Sequence, residues 1–455
     1  STLFDQKITF TNTFKKRKAL LLTARYISEE LPQKYTINTF FYNDLFPTTT
    51  ANNAVQLTKN NMQFSGIEAH VLDRKINGNL LELKFGNTFR KDAFISNFML
   101  KEDQIVVGIP NEYQNNTSYT TNNLYFNIKH LLKLKKVTIT SKLYFHQLLN
   151  KLQQKQQITE QKPFFILPKI GLEWKVNKKN KISVLYSYNT TNTNIIDVYN
   201  SYVLTDFRSF SKGEGSFNQL NSSSFTLNYQ LGDWGSKFFA STFIFFTKNH
   251  DFFSENTSIT KNYSRSEKVL IKDRELLNIS TNIDRYIKEI SSNLKLTFGY
   301  NISNYKNIIN NQKREIQTSN YNYGLELRSG FGGVFNYHIG SSWSTSYVKT
   351  LSNNSSNNNT SFADFVFIVN DKLNIDLQTE RYNFESSGSA KNTYYFADLN
   401  AMYTIKENKL TLSISAKNLF NTEKFKEFSI SDIGTSTTEY NLRPRHILLT
   451  MEYRF

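Results

Sequence analysis

The sequence contains no cysteine, and only 6 proline, 17 glycine and 3 tryptophan among its 455 residues. Without cysteine there is no disulfide scaffold and no thiol, iron–sulfur or cysteine-ligated zinc chemistry. The scarcity of glycine and proline excludes collagen-like repeats. No run of about 18 apolar residues occurs, so no transmembrane helix is expected. The stretch Ser1 to Phe10 carries neither the basic segment nor the apolar run of a signal peptide. With no initiator Met, the expectation is a processed protein or a fragment. Acidic residues are in deficit: 38 Asp+Glu stand against 55 Lys+Arg, a formal net charge of +17.

Against these shortages stands an aromatic excess. Only 39% of residues are hydrophobic, yet 15% are aromatic, with 38 Phe and 26 Tyr. That many rings demand burial and argue against disorder. The length would suit roughly two to four ordinary domains or one large closed β architecture.

A period of two decides between them. Leu294, Leu296, Phe298, Tyr300 and Ile302 alternate with Asn293, Lys295, Thr297 and Asn301. The same alternation places Tyr321, Tyr323, Leu325 and Leu327 on one face, and Leu410, Leu412, Ile414 and Ala416 on another strand's face. Such segments run for about 10–14 residues, beyond the usual soluble strand of about five or six. Tilted strands of that length cross a bilayer. Soluble antiparallel sheets alternate too, but here strand length, loop asymmetry and an aromatic C-terminal residue together favour a membrane barrel.

Connections alternate in length. Short basic or polar turns are expected at Lys15 to Lys18, Arg74 to Asn77, Lys135-Lys136, Asn177 to Asn180, Gly232-Asp233, Asp284 to Lys288, Gly330 to Gly333, Asn370-Asp371 and Lys406 to Asn408. Longer loops are expected near 30–59, 93–120, 150–163, 191–221, 248–268, 305–312, 349–357, 385–391 and 419–440. Short turns on one rim and long loops on the other are the outer-membrane layout, with short turns periplasmic. The Asn-rich stretch Asn353 to Asn359 reads as a mobile external loop.

The fold expected is all-β: a transmembrane antiparallel β-barrel over residues 1–455, with about nineteen strands visible. Both end strands then run toward the periplasm, which an even-stranded barrel does not allow. Either the count is off by one, or about three strands lie upstream.

Two segments near the end carry a resemblance. Ser415-Ala416-Lys417-Asn418-Leu419-Phe420-Asn421 is similar to the segment closing the penultimate strand of TonB-dependent outer-membrane receptors. Asn441-Leu442-Arg443-Pro444-Arg445, followed by an apolar strand ending Tyr453-Arg454-Phe455, resembles their last strand. Tyr202 to Phe210 with Gly213 is similar to one of their external loops. The chain looks most like the Bacteroidota type. This resemblance implies the last nineteen strands of a 22-stranded receptor barrel, without its plug. It implies uptake of a nutrient (an iron chelate, glycan or peptide), with TonB as partner only where a plug lies upstream. It also implies that Leu449, Met451, Tyr453 and Phe455 form the signal read by the barrel-assembly machinery.

Ligand-loop candidates are Asp206, Arg208 and Lys212 in 191–221, and Phe252, Phe253 and Tyr263 in 248–268. Other expected partners are outer-membrane lipid and lipopolysaccharide, whose acidic groups basic residues would meet. The dispersed positive charge lacks any nucleic-acid-binding motif, so no nucleic-acid partner is expected. No cofactor, catalytic residue or metal site is expected, because no metal-ligand spacing or nucleophile elbow occurs. Three readings compete: a receptor, a plugless pore or scaffold barrel of a larger complex, and a barrel hydrolase using His338 with Ser341 or Ser342.

Overall fold

The computed structural model describes residues 1–14, 17–40, 42–233, 235–387, 391–407 and 409–454. Phe455, Lys15, Lys16 and Asn408, singled out above, lie outside the described residues. The chain opens with β1 (Thr2–Phe14), β2 (Lys18–Ile37), β3 (Asn53–Arg74), β4 (Leu80–Glu102), β5 (Ile105–Gly108), β6 (Gln114–Leu134), β7 (Val137–Gln154), β8 (Gln157–Gln161), β9 (Phe164–Lys175) and β10 (Asn180–Asn192). A four-residue helix α1 (Ile195–Val198) precedes β11 (Val203–Asp206), β12 (Ser209–Lys212), β13 (Gln219–Leu231), β14 (Phe238–Ile259), β15 (Ser264–Ile287), β16 (Ser292–Ile309) and β17 (Gln312–Ser329). The remainder is β18 (Phe335–Lys349), β19 (Asn353–Asn370), β20 (Leu373–Ser386), β21 (Asn392–Lys406), β22 (Leu410–Lys417), β23 (Lys424–Ile430), β24 (Thr435–Asn441) and β25 (His446–Tyr453).

Twenty-three of these strands form one sheet, and β23 and β24 pair separately as a hairpin. Four members, β5, β8, β11 and β12, are short pieces of four or five residues beside or above the wall. The other nineteen form an up-and-down antiparallel meander, each wall strand bonded to the next in chain order. About nineteen is the number that the short turns and longer loops lead one to expect.

The register sorts the faces. Leu296 pairs Leu325, Phe298 pairs Tyr323 and Tyr300 pairs Tyr321, so one face is apolar across strands. Tyr323 stacks on Trp343 of the next strand at 5.2 Å. The opposite face is polar and ionic: Lys295 meets Glu326 at 3.0 Å, Lys181 meets Glu173 at 3.0 Å and Lys417 meets Asp398 at 2.9 Å. One apolar and one polar face on strands this long is the wall pattern of a transmembrane barrel.

Among the described residues, β1 pairs only with β2, and β25 only with β22. All 13 residues of β1 are exposed, as is β25 beyond His446. Both strands run toward the short-turn rim. Antiparallel closure between them requires an odd number of further strands.

The loop expectations are corrected where wall strands run into them, as at 248–268, 305–312 and 353–359. The span 248–268 is mostly strand: β14 continues to Ile259 and β15 begins at Ser264, leaving a four-residue turn. Asn353–Asn359 is not a loop but the start of β19, and Asn359 is buried, donating to Ser341 Oγ at 2.9 Å. Polarity alone does not end a strand, because an antiparallel ribbon satisfies its own backbone whether or not its side chains touch lipid. Tight turns let the ribbons extend; Asn310 and Asn311 (φ +48° and +65°) form the two-residue turn between β16 and β17.

On the polar face, Gly340 leaves room for the Phe362 ring against β18. A Cβ added there would come within 2.6 Å of that ring and 3.1 Å of Glu326. Such covering of a strand glycine by an aromatic neighbour stabilises sheets. Gly340→Ala is expected to cost about 1–2 kcal/mol of stability in urea unfolding from lipid vesicles. In a Phe362→Ala background the same change should cost nothing. An equal cost in both backgrounds would contradict the ring placement.

Candidate functional site

The long-loop rim is not open. The segment 193–218, between β10 and β13, folds inward and touches two distant parts of the wall, β3–β6 and β15. Six wall strands separate β4 from β15, so the segment crosses the mouth as a strap.

Its local structure follows from a few residues. Asn194 and Asp197 form a capping box on α1: Asn194 Oδ1 accepts from Ile196 N at 3.0 Å, and Asp197 Oδ2 accepts from Asn194 N at 2.9 Å. Gly213 passes so close that a Cβ would lie 2.6 Å from the carbonyl oxygens of Asp197 and Tyr199. On the near wall, Leu204 N donates to Gln56 Oε1 at 3.2 Å, while Gln56 Nε2 donates to Ser96 Oγ at 2.8 Å. Asn115 exchanges two hydrogen bonds of 3.1 Å with the Ser201 backbone. On the far wall β12 pairs in parallel with β15, and Lys268 Nζ reaches Asp197 Oδ1 at 2.6 Å.

The strap is held by an aromatic core. Tyr42, Phe98, Tyr113 and Phe210 are each 2% exposed or less. Phe210 of the strap sits 5.1 Å from the rings of Tyr42 and Tyr113 and 5.5 Å from Phe98. Each ring buries about 150–250 Å², and burial of a side chain of this size contributes about 1.5–3 kcal/mol. The Tyr42 hydroxyl donates to Phe207 O at 2.6 Å. Burial raises the Tyr42 phenol well above its ordinary range and pushes Tyr113 up to about 12 against the pull of Arg265. Both therefore stay neutral and can remain inside.

A second loop, 418–445, folds inward from the opposite side. Phe425 of β23 packs among Tyr394, Tyr382, Phe384 and Phe396 at 4.9, 5.4, 5.5 and 6.0 Å. At the hairpin tip, Arg314 Nη2 donates to Asp432 Oδ2 at 2.6 Å and Arg314 Nη1 to the Asp432 carbonyl at 2.8 Å. The Asn418-Leu419-Phe420-Asn421 segment ties the base of this loop. Asn418 and Asn421 take left-handed conformations, φ +52° and +55°, which asparagine tolerates. Asn418 Nδ2 donates to the carbonyls of Thr422 and Arg443, both at 2.9 Å, and Asn421 Oδ1 accepts from Arg445 N at 2.9 Å. Leu419 N donates to Ala397 O at 2.9 Å, Phe420 lies 6.3 Å from Tyr395, and Pro444 O is 3.0 Å from His446 Nδ1. The motif thus fixes where β22 ends and β25 begins.

The ligand-loop candidates fall on this assembly, largely as its fastenings. Lys212 pairs with Glu267 at 2.8 Å, and Tyr263 packs against the aromatic core. Asp206 and Arg208 flank the exposed turn of the strap, where Arg208 lies over the Phe207 ring. Phe252 and Phe253 belong to β14, not to a loop. They line a cavity of about 370 Å³ with Arg274, Tyr305 and Asp432. A larger cavity, about 560 Å³, lies beneath the strap, lined by Asn60, Phe64, Arg90, Asp92, Tyr119 and Asn192. There Arg90 grips the buried Asp92 through two bonds of 2.7 and 2.9 Å.

Leu449, Met451 and Tyr453 project on the apolar side of β25, 68%, 69% and 54% exposed. Ser341 bonds Ser361 at 2.8 Å on the apolar-side face, opposite to the face of His338. The imidazole instead sits 3.4 Å from Glu326, and Ser342 faces Thr360 O. The hydroxyls and the imidazole are therefore not assembled as a nucleophile and base.

Sequence reasoning missed Tyr42, Gln56, Phe98, Tyr113 and the Asp197–Lys268 pair. Asn194-x-x-Asp197 inside a long loop was the available signal for α1.

No protein-family model and no curated protein matches the chain. Among solved structures it is similar to the unliganded ferric citrate transporter FecA, with TM-score 0.52 and 11% identity over 99% of this chain and 60% of that one. The ferric yersiniabactin uptake receptor FyuA from Yersinia pestis gives TM-score 0.42 at 10% identity over 100% and 78% of the two chains. The siderophore receptor PiuA from Acinetobacter baumannii gives 0.39 at 8% identity over 99% and 79%. At these identities the likeness is one of fold, and it rests on the first. The chain spans about 60% of the length of that transporter.

If the Asp197–Lys268 bond and the capping box hold the strap, Asp197→Ala should loosen it by about 1.5–3 kcal/mol. Limited proteolysis within 193–218 should then accelerate about ten- to a hundredfold, while Asp206→Ala leaves the rate unchanged. Equal rates in the two variants would contradict the anchoring.

Proposed function

We propose that this chain is the barrel portion of an outer-membrane uptake receptor of the TonB-dependent kind, with its nutrient bound at the strapped mouth. The observation that carries this is the pairing of a two-faced nineteen-strand wall with loops folded inward over one rim. A wall of this kind satisfies every backbone group only in a closed barrel. Three further antiparallel strands would satisfy the direction of β1 and β25 and give 22. On this reading residues 1–455 form one barrel unit, and a plug supplied elsewhere would provide part of the ligand site and the contact with TonB. The Asn418–Asn421 and Arg443–Arg445 segments support the Bacteroidota type of the family.

The structural relatives include a ferric citrate transporter and siderophore receptors by name; for this chain an iron chelate, glycan or peptide is the corresponding cargo. Outer-membrane lipid and lipopolysaccharide would surround the apolar face. Leu449, Met451 and Tyr453, exposed on the edge strand, suit recognition by the barrel-assembly machinery. The work of such a protein is binding and gated passage without bond chemistry. The inward strap favours this over a permanently open pore or a passive scaffold.

The test is permeation. Liposomes carrying the intact protein should swell slowly in stachyose, and removal of residues 194–217 should raise the rate at least tenfold. Equal rates would show that the mouth does not gate the lumen.

A further inference from the structure

We infer that the lumen wall carries an oxyanion-binding site, built by a row of lysines below the mouth. Lys129, Lys142 and Lys169 stand on three successive wall strands at directly opposed positions, Lys129 against Lys142 and Lys142 against Lys169. All three are half-buried and lie on the polar face. Like charges facing each other across strands destabilise the pair, and a bound anion reverses that sign.

The local carboxylates neutralise only the Lys129 end of the row. Glu82 is engaged by Lys129 at 2.8 Å and His70 at 3.0 Å. Glu68 is engaged by Lys84 at 3.2 Å and by the Tyr125 hydroxyl at 2.7 Å. Gly86 permits the latter contact, since a Cβ there would lie 2.5 Å from the Tyr125 hydroxyl. Lys142 and Lys169 meet no carboxylate among the described residues; Lys169 Nζ lies 5.5 Å from the centre of the Tyr144 ring. By contrast, Lys129 and the other polar-face cations Lys181, Lys295 and Lys417 each sit against an acid.

Lys129 and Lys142 border a cavity of about 400 Å³ that Lys84, Tyr125, Tyr144 and His146 also line, together with the two engaged carboxylates Glu68 and Glu82; Lys169 stands beside it on the next strand. That space suits a compact multivalent oxyanion, either a polycarboxylate or a phosphate-bearing group. Ammonium groups make charge-assisted bonds to both, and the neighbouring rings and amides add donors. Lys129 is five residues from the short-turn end of β6, so the site lies well below the strap. An anion admitted at the mouth would meet it on the way through. The biological meaning rests on the uptake reading given above; the binding site does not.

The experiment is titration calorimetry on the full chain in detergent, with citrate and pyrophosphate as separate probes. One site per chain is expected for at least one probe, weakening with added salt. Citrate alone would assign a carboxylate ligand, and pyrophosphate alone a phosphate. Lys142→Gln with Lys169→Gln should lower affinity at least tenfold, the corresponding arginine pair should retain it, and Lys178→Gln with Lys179→Gln on the rim should leave it unchanged. Binding of neither probe, or equal affinity in the glutamine pair, would overturn the site. Absence of binding to the unaltered chain, beside an intact swelling response to strap deletion, would overturn the site and leave the uptake reading standing.

Discussion

The antiparallel ladder governs this molecule. Nineteen wall strands bond each to the next, and their period of two divides every strand between an apolar and a polar side. The sheet supplies the backbone hydrogen bonds, so the side chains of the two faces are free to match lipid and water separately. That division explains the composition. A wall that is half wet needs little overall hydrophobicity, and its lipid side can be filled with Phe, Tyr and Leu.

The same ladder sets what the loops can do. The ribbons continue past the apolar band, as β14, β15 and β19 do, and raise the rim above it. The strap then spans the mouth because it finds anchors on both sides: the Gln56–Ser96 pair and the aromatic core on one, β15 and Lys268 on the other. Phe210 is the point where these meet. The C-terminal loop uses the same device in smaller form, with Phe425 among four rings and Asp432 held by Arg314. Aromatic burial outside the membrane band thus takes up part of the ring excess that first marked the sequence.

Much of the wall was legible in the sequence. Alternation in segments such as Leu294 to Ile302 gives both the strand and its outward face, and the basic short turns give the count of nineteen. The limits of the strands were less legible. Asn353–Asn359 looked like a loop because its side chains are polar, yet cross-strand bonding from Asn359 to Ser341 keeps it in the sheet. The mouth was hardly legible. Tyr42, Phe98 and Phe210 lie far apart in the chain, and only the fold brings them together. Lys129, Lys142 and Lys169 are individually unremarkable; register alone makes them neighbours. The candidates Lys212 and Tyr263 make contacts that fasten the strap.

The central claim is that one face of each wall strand meets lipid and the other meets water. Because the chain has no cysteine, single cysteines can be introduced without background. With the protein in lipid vesicles, cysteines placed in turn at residues 293 to 302 along β16 should react with a membrane-impermeant thiol reagent in alternation. Positions 293, 295, 297 and 301 should label rapidly, and 294, 296, 298, 300 and 302 should be protected. Uniform labelling along β16, or labelling with a helical period, would contradict the account.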